Sequence, residues 1–108
     1  VNRCELDFIN SVEQGVELIR KIGAGSPKLM PDVFHMNIEA RTIGGELEKW
    51  AFHIGYIHLA DSNRLSPGKG HADFGDIFSH VRRSGYDGWF SVEILPKPDA
   101  YVAARKGF

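Results

Sequence analysis

The chain has 108 residues, 43% of them hydrophobic and 25% charged, the profile of a single soluble globular domain rather than a disordered segment. Thirteen basic against fourteen acidic residues give a formal charge of −1, which argues against a nucleic-acid or anionic-membrane partner recruited by bulk charge. No apolar run approaches the roughly 20 residues of a membrane helix. The lone cysteine, Cys4, excludes an internal disulfide or a cysteine-rich zinc site. A reducing, cytoplasmic setting fits this cysteine usage and is expected, and no secretory leader is visible. The chain begins at Val1 rather than Met, so its native start is expected upstream.

Residues 8–22 read as a helix, with Ile9, Val12, Val16 and Ile19 at helical spacing and Gly23 to Pro27 ending it. Residues 28–34 read as a strand, although Pro31 would cost it a ladder hydrogen bond. Residues 43–52 form the next helix, with Ile43, Leu47, Trp50 and Ala51 on its apolar face. Residues 54–60 are a near-continuous apolar run, as in a strand covered on both faces. Residues 61–73 are a long polar loop, a length usually tied to function. Residues 74–84 are helical, with Phe74, Ile77, Phe78 and Val81 aligned, and Gly85 stops them. Residues 89–94 read as a strand, and Pro96 and Pro98 lead to a short helix from Asp99 to Phe108. This alternation implies an α/β fold with a parallel sheet and covering helices.

Strand periodicity then places the chemistry. Successive residues face opposite sides. Leu29 and Val33 oppose Met30, Asp32 and Phe34; Ile57 and Leu59 oppose Tyr56 and His58; Phe90, Val92 and Ile94 oppose Trp89, Ser91 and Glu93. Each strand has one apolar face and carries one ionisable residue near its C-terminal end on the other: Asp32, His58 and Glu93. That is the end where α/β barrels and open α/β sheets place their chemistry. A lone strand histidine is more often a hydrogen-bonded structural residue, and Asp32 before a loop could be only a helix cap. Glu93, between Val92 and Ile94, calls for a buried partner or a metal. Asp, His and Glu together suit Mn²⁺, Mg²⁺, Co²⁺ or Zn²⁺.

The segments Asp32-Val33-Phe34-His35-Met36-Asn37-Ile38-Glu39, His58-Leu59-Ala60-Asp61-Ser62-Asn63-Arg64, Pro67-Gly68-Lys69-Gly70-His71, and Gly85 to Gly88 with Ser91-Val92-Glu93 resemble the sugar phosphate isomerase/epimerase family. This is the xylose isomerase-like TIM barrel group, and the resemblance is closest to ketose 3-epimerases of the D-tagatose/D-psicose type. It implies a divalent metal, Mn²⁺ favoured, held by Asp32, His58 and Glu93. Glu93 would also be a catalytic acid/base, and His35, Arg64 and Glu5 would contact the sugar. Val1 to Glu5 resembles the tail of the family's E-P-x-N-R-x-E motif, whose first glutamate, the fourth ligand and other acid/base, would lie two residues before Val1. The implied reaction is proton transfer beside a ketose or sugar-phosphate carbonyl through an ene-diolate stabilised by the metal.

The remaining residues and the assembly carry expectations of their own. His71 would either orient a metal ligand or staple the loop. His53 and His80 are expected on the surface, Cys4 as a packing residue and Lys69 as a solvated loop residue. A full barrel takes roughly 250 residues, so residues 1–108 are expected to be one partial barrel domain, from the end of strand five to the start of helix eight. Such a half would pair with another copy or join its missing N-terminal half. Two other readings are a non-catalytic metal-binding or assembly fragment and an apurinic endonuclease-like zinc hydrolase. The acidic net charge, the intact Asp61-Ser62-Asn63-Arg64 segment and the lack of further strand-end histidines stand against the hydrolase.

Overall fold

The computed structural model describes residues 1–23, 25 and 27–107. Its elements are α1 (Val12–Ile22), α2 (Val33–Glu39), α3 (Ile43–Trp50), β1 (Tyr56–Leu59), α4 (Phe74–Arg83), β2 (Trp89–Val92) and α5 (Ala100–Gly107), with a 3-10 turn at Ala51–His53. β1 and β2 pair in parallel, from Tyr56 opposite Trp89 to Leu59 opposite Val92, with α4 in the connection between them. Parallel neighbours require such a crossover, because the chain must return to the same end of the sheet.

Helix α1 begins later than its apolar spacing suggests. The Ser11 hydroxyl accepts the Gln14 N–H at 3.2 Å, and the Gln14 side chain accepts the Ser11 N–H at 3.2 Å. This reciprocal cap fixes the start at Val12 and leaves Phe8, Ile9 and Asn10 outside the helix. Gly23 closes it at φ 68°. Ala24 and Ser26, part of the expected stop, and Phe108, the expected end of the last helix, lie outside the described residues.

The largest departure from the sequence reading is at residues 28–34. The expected strand reduces to two isolated parallel bridges, Leu29 to Ile54 and Asp32 to His58. Pro31 has no N–H to give a ladder, although its carbonyl accepts the His58 N–H at 3.0 Å. The chain then turns directly into α2, where Asp32 caps the helix by accepting the Phe34 N–H at 2.8 Å. Val33 and Phe34 are therefore helical, so two helices, α2 and α3, follow one another before β1. The expected helix at 43–52 stops at Trp50 and tightens into the 3-10 turn.

β1 is covered on one face rather than two. Ile57 and Leu59 are buried, His58 is half-buried and Tyr56 is exposed. β2 ends at Val92, so Glu93 stands just beyond the ladder rather than inside an apolar strand. Its backbone N–H still reaches the Leu59 carbonyl at 3.1 Å.

Val33, Met36, Leu47, Ile54, Ile57, Leu59, Ile77 and Val81 form the core between β1, α2, α3 and α4. α3 lies close against α4 at Gly44, where a Cβ would come within 2.6 Å of the His80 ring. His80 is not the free surface residue expected from sequence. It is half-buried between Glu48 of α3 and Asp76 of its own helix, with Nε2 3.3 Å from Asp76. Arg83 closes the same cluster on Glu48 at 3.2 Å. His53 is also partly buried, its ring 6.2 Å from that of Trp50. Cys4, expected to pack, is exposed.

Leu47 is 1% exposed at the centre of this core. Leu47→Ala is expected to lower unfolding free energy by about 3 kcal/mol, read from the denaturant midpoint, because the vacated volume cannot fully collapse.

Candidate metal centre

Three chain segments bring Asp32, His58 and Glu93 together at the C-terminal end of the two-stranded sheet. The bridge between Asp32 and His58 and the pairing of His58 with Ser91 set the spacing. One ligand atom from each residue lies within 4.8 Å of the other two. His58 Nδ1 is 3.8 Å from Asp32 Oδ2 and 3.4 Å from Glu93 Oε2. Donors about 2.0–2.2 Å from one ion sit roughly 3–4 Å from each other, so small side-chain adjustments would suit this set to a divalent cation.

The two carboxyls differ in their surroundings. Asp32 is 8% exposed and the Glu93 side chain 50%. Burial pushes the Asp32 carboxyl above its usual range; the Phe34 N–H offsets part of the rise, and the facing Glu93 adds to it. Desolvation also acts to raise Glu93, but interactions with Asp32, His58 and Arg64 outweigh it and hold Glu93 below its usual range. One proton between the pair therefore favours Asp32.

Glu5, His35 and Arg64 stand beside the triad. Arg64 Nη2 is 3.4 Å from Glu93 Oε2, and its Nη1 is 3.9 Å from Glu5 Oε1. The guanidinium also lies 4.9 Å from the centre of the Phe34 ring, a cation–π distance. Arg64 is held there by a left-handed backbone at φ 60°, its N–H bonded to the Asp61 carbonyl and its carbonyl to the Leu95 N–H, both at 2.8 Å. Such a conformation costs a non-glycine residue about 1 kcal/mol or more. His35 Nδ1 is 3.8 Å from Glu5 Oε1. Asp32, His35, His58, Arg64 and Glu93 share the lining of one cleft of about 280 Å³.

His71 is not with them. Its ring and its backbone N–H each meet the Ser62 hydroxyl at 3.0 Å, which makes it a loop staple. Lys69 is exposed.

The sequence reading missed two residues that build the site. Asp61 is fully buried under the 61–73 loop. Its carboxylate accepts backbone N–H groups from Ser62 at 2.7 Å, Gly68 at 2.8 Å and Ala72 at 3.0 Å, with Gly70 a fourth donor. A Cβ on Gly70 would fall 2.3 Å from the same carboxylate, so the loop closes over Asp61 only with glycine there. Burial alone would raise this carboxyl, but the four N–H donors outweigh it and hold it below its usual range. The available signal was an aspartate at a strand end before a loop with two glycines. The other missed residue is Asn2, 1% exposed, which contacts both Glu5 and His35.

A family model for the Xylose isomerase-like TIM barrel matches residues 1–108. The chain belongs to that family. It is 38% identical over 93 residues to an L-ribulose 3-epimerase of Mesorhizobium japonicum, covering 86% of this chain and 31% of that protein. Identity is 34% over 104 residues to a D-psicose 3-epimerase of Agrobacterium fabrum, covering 96% and 36%. A solved L-ribulose 3-epimerase matches all of this chain and 37% of its own, with TM-score 0.86 and 33% identity. The D-psicose 3-epimerase of Clostridium cellulolyticum H10, solved with D-tagatose, matches 90% of this chain and 34% of its own, with TM-score 0.84 and 32% identity. The chain thus carries part of the barrel and spans about a third of the length of these relatives.

Asp61 gives a test of how the loop is held. A carboxyl whose folded value is lowered adds stability above its unfolded value, near 3.8, and that stability is lost as pH falls through the folded value. The wild-type melting temperature should therefore fall on acidification below about pH 4. Asp61→Asn should lack this component and be less stable near neutrality by about 2–4 kcal/mol, because the amide turns donors toward donors.

Proposed function

We propose that this chain is the ligand-bearing part of a divalent-metal-dependent sugar isomerase or epimerase that moves a proton beside the carbonyl of a ketose or sugar phosphate. The observation that carries the reading is the Asp32, His58 and Glu93 cluster at the strand ends, with Arg64 and His35 lining the same cleft and Glu5 beside both of them. The relatives named as sugar 3-epimerases support the same chemistry.

The residues fit a divalent ion on their own chemistry. Two facing carboxylates and a histidine ring nitrogen form a mixed oxygen and nitrogen set. A cation there would also offset the burial and the facing Glu93 that otherwise push Asp32 toward its protonated form. Asp32, His58 and Glu93 would hold it, with Mn²⁺ assigned first and Mg²⁺, Co²⁺ and Zn²⁺ compatible with the same donors. When bound, such an ion supplies Lewis-acid polarisation of a substrate carbonyl.

Glu93 is the acid/base. It is accessible from the cleft and its carboxyl lies below the usual range, so near neutrality it is a carboxylate able to accept a proton at Oε2. Arg64 and His35 would bind sugar oxygens and hold the reacting carbon against Glu93. Glu5, with Oε1 turned to Arg64 and His35, would accept a sugar hydroxyl.

Calorimetry with Mn²⁺ tests the centre. The wild-type chain should take up the ion, and Asp32→Ala should weaken uptake by at least ten-fold, as expected for loss of one carboxylate ligand (~1.4 kcal/mol or more); equal uptake removes Asp32 from the centre. Conversion of D-psicose or D-tagatose tests the reaction, using the chain and a version extended upstream so that a glutamate stands two residues before Val1. With Mn²⁺ the extended version should yield the 3-epimer, and Glu93→Gln should lower turnover at least 100-fold. No ketose converted by the extended version overturns the assignment.

A further inference from the structure

We propose that Asn2 is a positioning residue: it fixes His35 in the tautomer with its proton on Nε2 and so presents a ring N–H to the cleft. Asn2 is 1% exposed, and two of its groups converge on His35 Nδ1, the backbone N–H at 3.3 Å and the side-chain Nδ2 at 2.8 Å. The orientation of the amide does not depend on the histidine. Its Oδ1 accepts the Cys4 N–H at 2.9 Å, and its Nδ2 lies 3.2 Å from Glu5 Oε1, a carboxylate oxygen that can only accept. Reversing the amide would set Oδ1 against that carboxylate and NH₂ against the Cys4 N–H. The group facing His35 Nδ1 is thus a donor, and the backbone N–H is a second. A ring nitrogen that meets two donors keeps its lone pair, so the ring proton sits on Nε2.

The other edge of the ring is open. His35 lines the cleft, and Nε2 has no hydrogen-bond partner among the described residues. No side-chain nitrogen or oxygen lacking a partner is sealed from solvent among those residues, so Nε2–H reaches the cleft. Glu5 Oε1 does not compete for Nδ1, because it lies 3.8 Å away and Asn2 already donates to it. Asn2 is itself anchored: the next residue, Arg3, clamps Glu39 at the end of α2, with Nε and Nη2 reaching Oε2 at 3.0 and 2.8 Å. His35 and Glu39 share that helix, so the segment that carries the donor is tied to the helix that carries the ring.

The consequence rests on the sugar reading above. An Nε2–H is a donor only, so the oxygen that docks there must accept, as a carbonyl or a hydroxyl lone pair does. Arg64 adds a second donor and Glu5 an acceptor, a pattern that reads a neutral polyhydroxylated chain by direction rather than by net charge.

Nitrogen-15 NMR of the 108-residue chain tests this, with long-range proton correlations to the ring nitrogens and His35 assigned by its loss in His35→Gln. The wild-type spectrum at pH 7 should show Nδ1 without a proton and Nε2 carrying one; a proton on Nδ1 overturns the proposal whether or not any variant folds. Asn2→Asp replaces the closer of the two donors with an acceptor and should bring a proton onto Nδ1, while circular dichroism stays at the wild-type level; a folded Asn2→Asp with the wild-type pattern overturns the part given to the Asn2 side chain. Calorimetric titration with D-psicose in Mn²⁺ separates this from the sugar reading. Asn2→Asp should bind about ten-fold more weakly, as for one hydrogen bond lost. A wild-type chain with the expected tautomer and no D-psicose binding would sustain the tautomer and count against the sugar site. A chain that binds the sugar with its proton on Nδ1 would do the reverse.

Discussion

Asp32 and Glu93 face each other across His58, and much of the surrounding structure serves to hold them there. Two carboxyls within 4.8 Å repel when both are ionised, and the repulsion is relieved by a proton, a cationic side chain or a bound cation. The backbone enforces the encounter. The bridge from Asp32 to His58 and the register of β1 on β2 bring the three residues to one end of the sheet. A one-residue slip of either strand would turn its ligand to the opposite face, where α3 and α4 pack. The hydrophobic pattern therefore protects the polar cluster: Ile57 and Leu59 cannot leave the core without carrying His58 out of place.

Around this encounter one device recurs. Asn2, Asp32 and Asp61 are buried, and each carries a short polar side chain that accepts backbone N–H groups from its own neighbourhood. Asp32 starts α2, Asp61 gathers the 61–73 loop, and Asn2 shapes the segment that bears Glu5. The cost of burying a carboxylate or an amide is offset by these bonds. The bonds also fix where the neighbouring functional groups point. Arg64 leaves the loop that Asp61 organises, His35 sits one residue after Phe34, whose N–H Asp32 binds, and Glu5 follows Asn2 by three. Small residues of fixed geometry thus position the long ones.

Periodicity in the sequence reveals much of this and misses it where two signals compete. The faces of β1 and β2 follow from alternation, which is enough to align His58 and Glu93. The segment around Asp32 defeats the same rule, because Pro31 removes a ladder donor and Asp32 is a strong helix cap. The apolar residues Leu29, Met30 and Val33 look like a strand but divide between a bridge and a helix. Cap and ligand look like alternatives for Asp32 in the sequence, yet it caps with Oδ1 and turns Oδ2 toward His58, so the two roles are compatible. At α1 the capping residues override apolar spacing. Asp61 left little trace because its partners are backbone groups, and no residue type marks a backbone N–H; Asn2 left little because its His35 partner lies 33 residues away in the chain.

The unequal surroundings of the two carboxyls suit them to unequal work. Asp32 is walled in, bonded to the Phe34 N–H and tied to the start of a helix, so it can move little without unwinding α2. Glu93 stands one residue past its strand, half-exposed, with Arg64 Nη2 donating to its Oε2 at 3.4 Å. A ligand that must stay put belongs on the rigid element. A group that must also take a proton from a substrate carbon and give one back needs access to the cleft and an ionised carboxylate at rest. Glu93 has both, and Arg64 reinforces the second, since a nearby guanidinium favours the ionised carboxylate. The division of labour proposed between ligand and acid/base is thus written into burial and chain position, with the register of β1 on β2 bringing the two carboxyls within reach of one substrate.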